Sequence, residues 1–130
     1  CKLQRVQNSL AKLVIRKPNI SSRDALYNLH WLPIDRRIDF KLSVLTYKLL
    51  HSGSPSYLSS LLHYYTPVRA LRSADLDLLY QPSVSSVIGS RAFQVAAPVT
   101  WNKIPLLIRQ SPTLHTFRRH LKTHLFTPTV

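Results

Sequence analysis

Methionine and glutamate are absent from this 130-residue chain, cysteine occurs once and glycine twice. Each scarcity removes a class of function. A single cysteine, Cys1, cannot build an internal disulfide framework or a cysteine-rich zinc site. Two glycines, Gly53 and Gly89, cannot form the glycine-rich loop that cradles phosphates, and the Gly-x-Ser-x-Gly elbow of serine hydrolases is missing. No apolar run reaches the roughly 18 residues that span a bilayer. No charged-then-apolar leader with a small-residue cleavage site opens the sequence. These absences predict an intracellular protein, nuclear or cytoplasmic, that is neither secreted nor held in a membrane. The missing methionine, with a first helix that no capping residue introduces, predicts a piece cut from a longer polypeptide.

Acid is the other scarcity. Five aspartates face eighteen Lys and Arg residues, a net charge of +13. A chain this basic repels itself unless a polyanion is near, which predicts nucleic acid as the partner class. The acids Asp24, Asp35, Asp39, Asp75 and Asp77 all lie in the middle, so both ends are acid-free. Hydrophobic content of 45% argues for a packed core rather than disorder.

Periodicity predicts a mainly α protein, a small helical bundle with one short β-hairpin around residues 76–97. Residues 2–16 show Leu3, Val6, Leu10, Leu13 and Val14 at helical spacing on one face, an apolar stripe that needs cover, and Pro18 stops the helix. On the opposite face Arg5, Lys12 and Arg16 fall within one narrow strip, spanning about 16 Å along the axis, a basic ridge behind the apolar face. A short helix follows after Ser21 or Ser22, and Trp31 and Leu32 lead into Pro33. The clearest helix, roughly 33–51, carries Ile34, Ile38, Leu42, Leu45 and Leu49 and ends at Gly53. A further short helix begins at Ser54 and Pro55, with Tyr57, Leu58, Leu61 and Leu62 inward. Strand-like runs at 76–82 and 90–98 predict the hairpin. The last helix opens at Ser111 and Pro112, buries Leu114, Phe117, Leu121 and Leu125, and sets Arg118, Arg119 and Lys122 to one side.

The residues that could carry chemistry form no complete site. Asp75-x-Asp77 lacks the third ligand a Mg²⁺ ion would need. Asp35 and Asp39 are accounted for by helix-end electrostatics. His120 and His124 have the i, i+4 spacing of zinc ligands, but the residues between are Leu-Lys-Thr, without a general-base glutamate, and a third ligand would have to come from His30, His51 or His63. Cys1 at the terminus has no partner for nucleophilic work. Tyr64 and Tyr65 near Arg69 could stack on bases, but the stronger expectation is that they wall the core. Trp31 and Trp101 are expected to be core corners.

In order, LQRVQNSLAKLVIR, LHWLPIDRRIDFKLSVLTYKLLH, PSYLSSLL with YTPVRALRS, RAFQVAAPVTWNKIPLLIR and FRRHLKTHLF resemble the C-terminal region of reverse transcriptases from non-LTR (LINE-type, jockey-like) retrotransposons. The resemblance covers nearly the whole chain, and residues 75–90 are its least distinctive part. It implies a thumb-like basic helix at 1–17 and a C-terminal helical extension at 18–130. It places the polymerase palm, with the carboxylates that hold Mg²⁺, outside this chain, so no cofactor and no catalysis are expected of the chain itself. The partners it implies are RNA, DNA or an RNA–DNA hybrid, held through phosphates during target-primed reverse transcription, and the palm; no membrane and no small-molecule substrate are implied. Charge geometry and this analogy together nominate Arg5, Lys12, Arg16, Arg118, Arg119 and Lys122 as phosphate contacts, with Arg36, Arg37, Arg69, Arg72 and Arg91 as weaker candidates. The alternatives are a helical protein-interaction module docking on the parent enzyme or another partner, and a relic of a mobile element.

Overall fold

The computed structural model describes residues 1–69 and 76–127. The described chain is mainly helical: α1 (Lys2–Ile15), α2 (Ser22–Asn28), α3 (Ile34–Ser52), α4 (Ser56–Ser59), a 3₁₀ turn (Gly89–Arg91), α5 (Phe93–Asn102), α6 (Leu106–Arg109) and α7 (Leu114–Phe126). Contacts divide it into two compact units, Cys1–Phe40 with Lys122–Val130, and Lys41–Leu121. Among the described residues no helix is long and apolar enough to cross a membrane.

In the first unit α1 packs on α2 through small side chains. Ala11 and Ala25 are fully buried beside Leu26, with Ile15, Ile20, Leu29 and Trp31 packed around them. Two alanines at a crossing let the helix backbones approach closely, at little cost in side-chain entropy. Polar bonds from α1 complete the unit. The Gln7 amide donates to the Leu32 carbonyl at 2.8 Å, and Gln4 Oε1 accepts from the backbone N–H of Ile34 at 2.8 Å. Gln4 thus satisfies one of the donors left open at the start of α3, the service a capping side chain normally gives from within its own segment. α1 ends at Arg16, which is left-handed (φ 57°, ψ 29°), two residues ahead of Pro18. His30 is also left-handed (φ 54°), and Trp31 N–H returns to the Leu26 carbonyl, closing α2.

The second unit has an aromatic centre. Phe117 and Leu121 of α7 are fully buried. Tyr47 stacks on Phe117 at 4.4 Å and on His51 at 3.9 Å, and its hydroxyl donates to the Ser111 carbonyl at 2.7 Å. Trp101 approaches Phe117 at 5.8 Å. The buried face of α3 is Ser43, Thr46, Tyr47 and Leu49, while Ile38 is exposed, so the apolar stripe expected to lead inward is rotated. Tyr57 and Leu61, expected inward, are also exposed. Thr113, rather than Ser111, caps α7: its hydroxyl accepts from Thr116 N–H at 3.2 Å. Ser111 is buried and bonds the Ile108 carbonyl.

The hairpin expected at 76–97 does not form. Its first half is extended, but it pairs with residues 63–65, through Tyr65 N–H to the Leu78 carbonyl and Tyr80 N–H to the His63 carbonyl, both 2.8 Å. Its second half is helix α5, which buries Val95, Ala97, Pro98 and Trp101. The alternation Phe93, Val95, Ala97 mimics a strand, yet the alanine content of 92–97 and the recurrence at 95, 98 and 101 favour a helix once a core is there to pack on. The other side of the extended segment is held by a side chain. Asn102 Oδ1 accepts from Leu79 N–H at 2.9 Å and Asn102 Nδ2 donates to the Leu79 carbonyl at 2.8 Å, a side-chain stand-in for a neighbouring strand.

Candidate nucleic-acid interface

Helix α1 presents three faces. The inward one is polar and small: Gln7 and Ala11 are buried, and Gln4, Asn8 and Ile15 are half-buried. The apolar stripe faces away from the unit. Leu3, Val6, Leu10, Leu13 and Val14 are all exposed, Leu13 at 73%. The amphipathic stripe is therefore not the face that packs within the unit. The reason is chemical: the backbone groups at Leu32 and Ile34 need hydrogen-bond partners, and only the glutamine face can supply them.

The third face carries the nominated cations. Arg5 and Arg16 are exposed and Lys12 is half-buried. The helix holds Arg5 and Lys12 on one strip, seven residues or close to two turns apart, and Arg16 follows at its left-handed C-cap. At its C-terminal end the strip borders an open hollow of about 530 Å³ lined by Ser9, Lys12, Leu13, Arg16 and Pro18. The left-handed turn at Arg16 fixes the last cation at the exit of the helix.

The second nominated set lies on α7, where Arg118, Arg119 and Lys122 are all exposed. Lys122 Nζ sits 5.8 Å from the centre of the Phe126 ring, a cation–π distance. Arg119 already has an interaction within the fold. Of the weaker candidates, Arg37, Arg69 and Arg91 are exposed, and Arg36 is half-buried with an interaction of its own. Arg72 and Asp75 lie outside the described residues.

Other side chains take structural roles. Arg109 is buried at 6% exposure, an arginine the sequence did not mark out. Its Nε donates to the Ile104 carbonyl at 2.9 Å, and Nη1 donates to the Leu76 and Asp77 carbonyls. Burial holds the guanidinium pKa below its usual value, and the nearby Asp77 carboxylate opposes that shift. Asp77 is left-handed (φ 47°), receives Trp101 Nε1 on its carbonyl at 3.3 Å, and accepts from Gln110 on its carboxylate at 3.0 Å. It is an exposed corner residue whose carbonyl and carboxylate are both tied into the fold. His120 and His124 are both exposed, and among the described residues no three His, Cys, Asp or Glu side chains gather as metal ligands do. Trp101 is a core corner, as expected, whereas Tyr64 and Tyr65 are exposed at 54% and 40% rather than walling the core. Partial desolvation, and secondarily Asp77, raises the Tyr64 hydroxyl pKa above its ordinary value.

No family model, curated protein or solved structure matches this chain.

Proposed function

We propose that this chain is the C-terminal part of a non-LTR retrotransposon reverse transcriptase, an accessory that holds the backbone of RNA or DNA during target-primed reverse transcription without a polymerase site of its own. The observation that supports it best is the pair Arg5 and Lys12 on one strip of α1, with Arg16 at its exit, outside the packed face and in a stretch without acid. Phosphates recur along a nucleic-acid backbone, so a straight row of cations on a rigid helix can neutralise several at once and release their counterions. Arg118 and Lys122 on α7 are further phosphate contacts in this proposal. The test is the salt dependence of duplex binding. Each of Arg5→Ala, Lys12→Ala and Arg16→Ala is expected to lower the slope of log K against log salt by about one, roughly evenly across sequences. Slopes that stay at the parent value in all three variants would overturn the placement.

A different observation supports a protein partner. Leu3, Val6, Leu10 and Leu13 are exposed at spacings of three, four and three, the seam of a two-heptad coiled contact. Lys2 and Arg5 flank its start and Lys12 and Arg16 its end, with no acid before Asp24. Two such edges repel, which disfavours a second copy; we propose a helix with an apolar stripe bordered by carboxylates as the occupant. A two-heptad peptide with leucine at the seam and glutamate beside it is expected to bind, and the Leu10→Gln, Leu13→Gln double variant to lose it. Equal binding of a lysine-edged peptide, or dimerisation of the chain alone through the seam, would overturn this.

A further inference from the structure

The first unit contains a cleft of about 340 Å³ lined by residues of α1, α2 and the end of α7, and no carboxylate is among its described lining residues. Three aromatic rings contribute to it: Tyr27, Trp31 and Phe126. Tyr27 meets Phe126 edge to face at 6.3 Å, which fixes two of the walls at a steep angle to each other. Leu26 supplies apolar floor. The polar lining includes the guanidinium groups of Arg23 and Arg36 and the Asn8 amide. Asn8 Oδ1 already accepts from Gln4 Nε2 at 2.8 Å, so its NH₂ is the end left to donate. Ser22 and the exposed Arg23 lie at the rim.

An open cleft with aromatic walls, an amide donor and a cation, and with no acid among its described lining residues, suits a flat, π-faced ligand that carries carbonyl acceptors and a negative charge. The volume is at the small end of the range for ligand sites, enough for a nucleotide and too small for a folded segment. We infer that this cleft takes one unstacked nucleotide of a single-stranded nucleic acid, its base against Tyr27, Trp31 and Phe126 and its phosphate at Arg23. The inference rests on the nucleic-acid function proposed above and adds to it. A cation strip tracks any backbone, whereas an aromatic cleft requires a base that has left its stack. The chain would then prefer strands with unpaired nucleotides over continuous duplex.

The experiment compares a fluorescein-labelled dT12 with an abasic strand of the same length and charge, using the full chain, alongside a duplex as control. Base-bearing dT12 is expected to bind about tenfold more tightly than the abasic strand, within the range for one or two base–aromatic stacks. Tyr27→Ala, an exposed position, is expected to erase that difference while leaving duplex binding and its salt slope as they were. Phe126→Leu, which keeps the apolar contact but not the ring, is expected to reduce it. Equal binding of dT12 and abasic strand, with duplex binding intact, would overturn the cleft and leave the backbone function standing. Failure of every strand and duplex to bind at low salt would overturn both. Displacement of dT12 by AMP at matched phosphate concentration would overturn the strand assignment in favour of a free nucleotide.

Discussion

In the unit of residues 41–121, large rings do the packing: Phe117 lies between Tyr47 and Trp101, and the extended segment 76–80 is latched by Asn102 and Arg109. In the unit of residues 1–40 with 122–130, the tight contact is between alanines, and two glutamines of α1 hold the chain at Leu32 and Ile34 while leucines and valines of the same helix stay outside. The difference teaches that helix amphipathicity identifies a face in need of cover without saying what covers it. Where a helix is surrounded by its own chain, the apolar stripe and the buried face coincide, as on α7. On α1 they do not, and the stripe is left for something else.

Stability measurements can break or sharpen that contrast. Phe117→Ala should cost about 3–5 kcal/mol, since it empties the middle of a fully buried aromatic cluster. Asn102→Ala should cost roughly 2–3 kcal/mol, because the backbone N–H and carbonyl of the buried Leu79 lose both partners. Gln7→Ala should cost about 1–2 kcal/mol through the orphaned Leu32 carbonyl, and only on the first unit. Leu13→Ala should change stability by no more than about 0.5 kcal/mol. Urea titration read by the two tryptophans, one in each unit, orders these variants. A Leu13→Ala penalty of several kcal/mol would mean that the stripe is core after all, and the contrast between the units would collapse.

Much of this was legible in the sequence. The spans of α1 and α3 follow from periodicity, Gly53 and the prolines, and Phe117 and Leu121 were marked as core by their spacing, although α7 starts two residues later than Ser111 and Pro112 suggested. The positions of the cations on α1 were legible too, because they depend only on the helix repeat. What was not legible depended on partners distant in sequence. Asn102 occupies the place where a second strand was expected, and nothing in its neighbours signals that its amide will bind Leu79. Arg109 looked like one more surface cation in a basic chain; its burial is set by three carbonyls, at 76, 77 and 104, that converge only in the fold. The inward turn of Gln4 and Gln7 was hidden for the same reason. These residues fall within or beside the stretches that carry the family resemblance: WNKIPLLIR contains Trp101, Asn102 and Arg109, and LHWLPI contains the carbonyl and N–H that the glutamines bind. The distinctive letters of those stretches are largely latches of the fold.

Arg16 joins two demands that an engineer would want to separate. It ends α1 in a left-handed conformation that costs any residue with a Cβ roughly 1 kcal/mol, and it is also the last cation of the basic strip. A search for stabilising substitutions would therefore select glycine at this position, and under the proposed function that same choice would delete a phosphate contact. A variant library ranked by thermal stability alone would drift toward a sturdier protein with a weaker grip, and position 16 is where that drift would first be seen.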